Sequence, residues 1–173
     1  MERRPGQEPA AVKVGSDGIA ISADGGLLFY CPLIGRKLYS VSVDALSDPN
    51  QTEAQVAQTV QDHGARATCS DGLEIDAHNN LYLTAYEHNG VYRRPIRGAA
   101  HGGSLSLGPA ELIAQGPTLV WPDTLSVAAD GYLYFTANQL NRQPQYNDGK
   151  DLRQKPYLLL RTKIGSEPVK LVK

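Results

Sequence analysis

The chain has 173 residues, a formal net charge of −1, 41% hydrophobic residues and 20% charged residues. This balance is typical of a folded globular protein, and the near-zero net charge gives no indication of the strongly basic surface that favours nucleic acids or anionic membranes. No apolar run approaches the roughly 20 residues that a membrane-spanning helix needs, so neither a nucleic acid nor a membrane is an expected partner.

Residues 1–13 predict a disordered or extended N-terminal segment, since they contain Pro, Gly and charged residues without an apolar pattern. Arg3 and Arg4 are not followed by the apolar stretch that a signal peptide requires. Two interpretations of the localisation therefore stay open: an intracellular protein, or a piece of a longer, secreted chain.

From residue 14 onwards, the sequence repeats one pattern three times. The copies, which align without a gap, are residues 16–31, 70–85 and 122–137. Their aspartates Asp17, Asp71 and Asp123 are 54 and 52 residues apart. Repetition with a period of about 50 residues indicates a repeat architecture such as a propeller.

Each copy predicts a β-hairpin. A short run that alternates apolar with small or polar residues, such as Ile19 and Ile21, predicts a first strand. A turn rich in Asp, Asn and Gly follows, and then a second strand with aromatic and aliphatic residues. Third strands are predicted at residues 37–43, 90–96 and 157–164, and fourth strands at residues 54–60, 110–115 and 168–172.

This pattern predicts an all-β fold, namely a partial β-propeller with three four-stranded blades. The half-propeller domain is expected to span residues 14–173, with blades at residues 16–62, 70–116 and 122–173. A β-sandwich is the alternative, but regular repetition of a four-stranded unit favours a propeller. Propellers usually have about four to eight blades. We therefore expect either a homodimer or a missing N-terminal half-propeller, which would make this chain half of a six-bladed propeller.

The first strands of propeller blades line the central axis, so Asp17, Asp71 and Asp123 are expected to converge there. Carboxylate oxygens suit Ca²⁺ or another divalent cation, and the mutual repulsion of three carboxylates would favour such an ion. The alternative is a structural role, in which each aspartate accepts hydrogen bonds from backbone N–H groups of the next turn.

The segments that follow the second strands are expected to open at the same mouth as these aspartates. Their polar side chains are the candidates for binding a small-molecule ligand: Glu87, His88, Asn89, Asn138, Gln139 and Arg142. The alternative for these residues is a solvated loop. Trp121 is expected to pack in the core or between blades, with stacking on a ligand at the cavity mouth as the alternative.

The remaining polar candidates have structural interpretations. Cys31 and Cys69 are predicted to be buried and to pack as small apolar side chains, and the alternative is a disulfide between neighbouring blades. His63, His78 and His101 are predicted to be exposed, because they lie in turn or loop contexts without a partner motif.

Three motifs resemble those of the bacterial and fungal members of the Yellow/major royal jelly family. They are Ser-Asp-Gly-Leu-Glu at 70–74, Trp-Pro-Asp-Thr-Leu-Ser-Val at 121–127 and Phe-Thr-Ala-Asn-Gln-Leu at 135–140. The resemblance implies a six-bladed propeller, an extracellular location and, in some members, a link to dopachrome conversion or a central cavity that binds small amines. No shared reaction follows from it.

A more distant resemblance is to gluconolactonase-type six-bladed propellers, whose divalent metal is held on the central axis by Glu, Asn and Asp. In this resemblance Asp17 and Asp71 match two of the metal-binding positions, and the Glu ligand falls in a region that this chain does not contain. Three functions are thus expected: small-molecule binding at the central mouth with no assigned reaction, metal-dependent lactone hydrolysis, or no independent activity in a truncated gene product.

Overall fold

The computed structural model describes residues 1–98 and 105–171. His101 and the ends of the predicted strand at 168–172 and of the predicted domain at 14–173 lie outside the described residues. The described chain forms three antiparallel sheets, one for each copy of the repeat. The prediction of a partial β-propeller is therefore confirmed.

The blades have the following elements. Blade 1 contains β1 (Ser16–Ile21), β2 (Leu27–Pro32), β3 (Lys37–Ser42), helices α1 (Val43–Ser47) and α2 (Glu53–Ala57), and β4 (Gln61–Ala65). Blade 2 contains β5 (Leu73–Ile75), β6 (Asn80–Ala85), β7 (Gly90–Arg97), β8 (Ser106–Leu107) and β9 (Glu111–Gln115). Blade 3 contains β10 (Pro122–Val127), β11 (Tyr132–Ala137) and β12 (Leu158–Lys163). Neighbouring strands pair in chain order, except that β8 and β9 both pair with β7.

Two apolar clusters fill the spaces between the blades. We call the side of a blade that faces the preceding blade its leading face, and the opposite side its trailing face. The leading face of blade 2 (Leu73, Ile75, Leu81 and Leu83) packs against Phe29 and Leu38 of blade 1. Its trailing face (Tyr82 and Val91) packs against the leading face of blade 3 (Leu125, Val127, Leu133 and Phe135). Burial of both faces of blade 2 holds the three sheets together.

The hairpin of blade 1 departs from the gap-free alignment by one residue. Ile21 pairs with Leu28 in blade 1, whereas Ile75 pairs with Leu81 in blade 2, one residue sooner. Blade 3 has the same short turn as blade 2. Because strand side chains alternate between faces, the extra turn residue directs Phe29, and not Leu28, toward blade 2.

The blades approach each other closely along their first strands. A Cβ atom on Gly18 would lie 2.6 Å from the carbonyl oxygen of Asp71, and one on Gly72 would lie even closer to that of Asp123. Glycine at these two positions therefore allows β1, β5 and β10 to lie side by side. Blade 3 carries Thr124 at the equivalent position, where the side chain is exposed.

The predicted fourth strand of blade 1, at residues 54–60, is wrong. Residues 53–57 form α2, and the fourth strand is β4, so that blade 1 continues beyond the predicted boundary at residue 62. The helix forms because Thr52 and Gln55 make a capping box, in which each side chain accepts a hydrogen bond from the other residue's backbone N–H. The Thr-x-x-Gln spacing is the sequence signal for this helix.

The predicted fourth strand of blade 3 is also wrong for the described residues, in which blade 3 has three strands. Residues 164–171, which we call the crossing segment, instead turn back across blade 2. The backbone N–H of Ala77 donates to the carbonyl oxygen of Glu167 at 2.9 Å. Val169 continues to the cluster between blades 1 and 2 and packs against it.

The N-terminal residues lie against blade 3. Glu2 and Ala10 form an antiparallel bridge, so residues 1–10 fold back on themselves. The backbone N–H of Arg3 donates to the carbonyl oxygen of Gln145 at 2.7 Å, and that of Asp148 donates to the carbonyl oxygen of Arg3 at 3.1 Å. These bonds connect the segment that precedes blade 1 to the long loop between β11 and β12.

Both cysteines are buried and free. Burial raises the pKa of the Cys31 thiol to about 11, so this side chain stays protonated at neutral pH. The prediction that His63 is exposed is wrong, since His63 is half-buried and its Nε2 lies 2.8 Å from Ser40 Oγ. It is covered because β4, which carries it, pairs with β3.

Candidate functional site

The mouth of the half-propeller is formed by chain segments that leave or enter the inner strands. Antiparallel pairing brings the residues after β2, β6 and β11 to the same end as the residues before β5 and β10. A cavity of about 340 Å³ opens there, which we call the mouth cavity. Its lining residues are Met1, Val12, Leu33, Ile34, Tyr86, Trp121, Leu140, Asn141 and Tyr146.

Tyr86 and Trp121 form one wall of the mouth cavity. Their rings are stacked, with centroids 4.1 Å apart and planes 5° from parallel. The Tyr86 hydroxyl donates to the carbonyl oxygen of Leu33 at 2.8 Å, and the Trp121 Nε1–H donates to Asp71 Oδ2 at 2.6 Å. Each ring is thus held at both its face and its polar atom, so the orientation of this wall is fixed.

The backbone of Trp121 is strained. Its φ of 56° lies in the left-handed region, which costs about 1 kcal/mol or more for a residue with a side chain. Two backbone bonds hold this conformation: the N–H of Asn138 donates to Trp121 O at 3.2 Å, and that of Gln139 donates to Val120 O at 3.1 Å. In this backbone conformation the indole lies in the mouth and donates to Asp71.

An axial groove of about 300 Å³ runs beside the first strands, and the three predicted metal candidates, Asp17, Asp71 and Asp123, all line it. Burial, the charge of Asp123 and the hydrogen bond and charge of Asp17 together raise the pKa of the Asp71 carboxyl to about 7, against the opposing effect of the hydrogen bond from the Trp121 indole. Burial also raises the pKa of Glu74, which lines the same groove.

The convergence of the three aspartates does not by itself make a metal centre. Within residues 1–98 and 105–171, no three His, Cys, Asp or Glu side chains are placed so that they could hold a metal ion. Asp123 is also engaged elsewhere, because Asn138 Nδ2 donates to its Oδ2 at 2.5 Å. The described residues therefore do not fit a divalent cation as a complete ligand set.

Of the predicted ligand candidates after β6, Glu87 acts between blades, whereas His88 and Asn89 belong to the turn within blade 2. Glu87 Oε1 accepts from Arg36 of blade 1 at 2.7 Å, and its Oε2 accepts from the backbone N–H of Cys69 at 2.9 Å. Burial acts to raise the pKa of Glu87, but the bonds from Cys69 and the charge of Arg36 outweigh it, so the pKa lies below its usual value. His88 packs edge-on against Tyr92, and Asn89 takes a left-handed turn conformation with a φ of 49°.

The predicted candidates after β11 stabilise the long loop. Gln139 is buried, its Nε2 donates to the carbonyl oxygen of Gln154 at 2.6 Å, and its Oε1 accepts from Arg142 at 3.0 Å. Asn138 Oδ1 accepts from the backbone N–H of Leu140 at 2.8 Å. The loop polar groups are thus used to hold Leu140 in the mouth, and the six predicted ligand candidates are not among the lining residues of the mouth cavity.

Trp121 is the only tryptophan of the chain, so its fluorescence reports on the mouth alone. Because its indole donates to Asp71, we expect the emission to titrate with the Asp71 carboxyl, at a midpoint of about pH 7. The substitution Asp71→Asn should abolish this transition, whereas Glu87→Gln, on another carboxyl near the mouth, should leave it in place. A transition that persists unchanged in Asp71→Asn would contradict the assignment.

Two solved structures share the fold over nearly the whole chain. A gluconolactonase from Xanthomonas campestris is 19% identical, with a TM-score of 0.52, and the match covers 92% of this chain and 47% of that protein. A luciferin-regenerating enzyme is 14% identical, with a TM-score of 0.58 and coverage of 90% and 48%. At these identities the likeness shows the fold alone. The chain spans about half the length of either protein.

The family is shown by the sequence itself. The sequence profile of the major royal jelly protein family matches residues 6–168. This match includes the motifs at 70–74, 121–127 and 135–140 that carried the resemblance. Among curated proteins, none matches the chain. In the described part of the chain, no helix has the length and apolar character needed to cross a membrane. The chain belongs to the major royal jelly protein family.

Proposed function

We propose that the mouth cavity binds a small molecule that carries a flat, apolar ring. The observation that carries this proposal is the stacked pair of Tyr86 and Trp121, which lines a cavity of about 340 Å³. Ligand sites typically combine an apolar, aromatic lining with a few fixed polar groups. A volume at the lower end of the usual range suits one ring with a short side chain.

The carboxylates beside the indole favour a ligand with a positive charge. Asp71 accepts a hydrogen bond from Trp121 and shares the axial groove with Asp17 and Asp123. Because like charges in a shared site repel, a protonated amine nearby would lower the free energy of the ionised aspartates. The small amines that some relatives in the Yellow/major royal jelly family bind have this chemistry.

Calorimetric titration with phenethylamine and with the uncharged 2-phenylethanol tests the proposal. We expect the amine to bind at least about tenfold more tightly than the alcohol above pH 7, since Asp71 is then ionised. The advantage of the amine should shrink as the pH falls below 7 and Asp71 takes up a proton, while binding of the alcohol should not change. If neither compound binds, the proposal is overturned.

Two variants test whether the compounds bind at the aromatic wall of the mouth cavity or elsewhere on the surface. Tyr86→Leu removes the ring that stacks on Trp121 and should weaken binding of both compounds by about fivefold or more, because aromatic pairs contribute about 1 kcal/mol beyond their buried area. Tyr157→Leu is the matched control, since Tyr157 is exposed and lies outside the mouth cavity. Equal losses in the two variants would place the binding site elsewhere.

Metal-dependent lactone hydrolysis is the second candidate function. It is supported by the three aspartates that line one groove and by the fold shared with a gluconolactonase. In that function a divalent ion would polarise the lactone carbonyl, but the described residues lack a complete ligand set for it. Metal analysis of the purified chain discriminates between the two functions, because tight stoichiometric metal is expected only for the second.

A further inference from the structure

The trailing faces of blades 2 and 3 carry the same polar arrangement. In blade 2, the Tyr82 hydroxyl donates to Asp76 Oδ2 at 2.8 Å, and Tyr82 pairs across the strands with Arg93. Blade 3 covers this arrangement, and Tyr82 is fully buried. A tyrosine hydroxyl that is buried in this way needs its bonded partner, so the arrangement is suited to an interface between blades.

Blade 3 repeats the arrangement on a face that nothing in the described chain covers. The Tyr134 hydroxyl donates to Asp130 Oδ2 at 2.8 Å, and Arg161 Nη1 donates to the same hydroxyl at 3.1 Å. Arg161 also lies over the Tyr132 ring, 4.3 Å from its centroid. Beside these residues, Leu159 is 69% exposed. The trailing face of blade 3 thus carries the same polar groups as the buried trailing face of blade 2, but no other blade packs against it in the described chain.

The leading face of blade 1 has the matching apolar surface. In blade 3, the residues that cover Tyr82 include Leu125, which is 7% exposed; its equivalent in blade 2 is Leu73, which is 6% exposed. The equivalent residue in blade 1 is Ile19, and it is 59% exposed. Ile21, Leu28 and Tyr30 complete this face, since they alternate with the residues that point toward blade 2.

We propose that two copies of this chain close into one ring, with the trailing face of blade 3 in each copy against the leading face of blade 1 in the other. A two-fold axis makes the two junctions identical and leaves no blade face open. Each chain matches 47% and 48% of two solved proteins of this fold, so two copies supply one full length. Four faces of about 300 Å² each would bury about 1,200 Å², the lower limit for specific, stable interfaces.

The junction between copies differs from those within the chain at one position. Gly18 and Gly72 allow the first strands to touch inside the chain, whereas Thr124 places a side chain at the equivalent point of the new junction. The first strands therefore stand further apart there, and the contact depends on the outer part of the face, around Tyr134 and Arg161.

Sedimentation equilibrium of the purified chain tests the ring. We expect a mass of twice 18.7 kDa for the wild type. The substitution Ile19→Glu should raise the dissociation constant at least about 100-fold, because each ring would then bury the new charge twice. Leu46→Glu is the matched control: Leu46 is 49% exposed on α1, away from the face, and its substitution should leave the dimer intact.

A mixing experiment distinguishes this ring from other dimers. Ile19→Glu and Leu159→Glu should each be monomeric alone, but a mixture of the two should form a heterodimer, since one of its two junctions then carries no substitution. A dimer through blade 1 alone would lose association only with Ile19→Glu. A wild-type chain that stays monomeric with unchanged circular dichroism, or a dimer that both variants leave intact, would overturn the proposal.

Discussion

The substitution Asp76→Ala is expected to lower the free energy of unfolding by about 3–5 kcal/mol, because it leaves several buried groups without a partner. Asp76 is fully buried, and its Oδ1 accepts from the backbone N–H groups of His78 and Asn80, both at 2.9 Å. Its Oδ2 accepts from the Tyr82 hydroxyl and from the Asn80 side chain. The loss is a large fraction of the stability of a typical domain.

The matched control is Asp130→Ala, which removes the same carboxylate from the equivalent turn of blade 3. Asp130 bonds to the Tyr134 hydroxyl and to the backbone N–H of Tyr132, but in the single chain it is exposed. Water can replace those bonds, so the expected loss is below about 1 kcal/mol. Urea unfolding on the Ile19→Glu background, where blade 3 stays uncovered, measures both. Equal losses would contradict the assignment of burial as the cause.

The effect of Asp76→Ala should also depend on pH. Burial acts to raise the pKa of Asp76, but the hydrogen bonds from Asn80, Tyr82 and Ser166 outweigh it, so the folded-state pKa lies below the usual 3.8. A group with a depressed pKa contributes stability above its unfolded pKa and loses that contribution as the pH falls through the folded value. The difference between the wild type and the variant should therefore shrink below pH 3.8.

Gly72→Ala is expected to cost about 3 kcal/mol or more, because the new methyl group would overlap the backbone of the next blade. The nearest atoms to its Cβ are the carbonyl oxygen and carbon of Asp123 and the Cα of Thr124, and none of these can rotate away as a flexible side chain would. The first strands of blades 2 and 3 must then separate, which also moves Asp123 relative to Asp71 in the axial groove.

Gly15→Ala is the matched control for this prediction. A Cβ at Gly15 meets no atom within 4 Å, and its φ needs no glycine, so the variant should unfold within about 0.5 kcal/mol of the wild type. Thermal unfolding and Trp121 fluorescence measure the global and the local effect. A Gly72→Ala protein with unchanged stability would show that the blades are not in contact along their first strands.

The hairpins could be predicted from the sequence because period-2 alternation and Asn/Gly turns are local signals. The one-residue shift in blade 1 could not, since Leu27 to Cys31 is apolar on both faces and fits either register. The helix at 53–57 differs from the predicted strand because Val56 and Val60 fit a strand pattern equally well, and the Thr52–Gln55 capping box is the local signal that favours a helix. The outer strands of the blades depend on tertiary contacts that local patterns do not record.

The candidate site was predicted in position but not in composition. The sequence placed Asp17, Asp71 and Asp123 on one groove, and the structure brings them together. Glu87 was among the expected ligand contacts, and in the structure its carboxylate accepts hydrogen bonds from Arg36 of blade 1 and from the backbone N–H of Cys69. Tyr86 follows β6 directly and Trp121 directly precedes β10. An aromatic residue at the end of a strand near the axis is therefore the sequence signal for the aromatic lining of the mouth cavity.

The crossing segment has a consequence for the order in which the chain matures during translation. Blades 1 and 2 leave the ribosome well before residues 164–171, yet Val169 packs against the cluster between those blades. The contact of His78 also forms late, because its partner Ser166 is 88 positions later in the chain. The Oγ of Ser166 lies 2.7 Å from His78 Nδ1. Contacts between such distant residues form slowly. The sheets that are synthesised first are therefore stabilised last. A nascent chain that is released before residues 164–171 are made would leave the cluster between blades 1 and 2 partly uncovered.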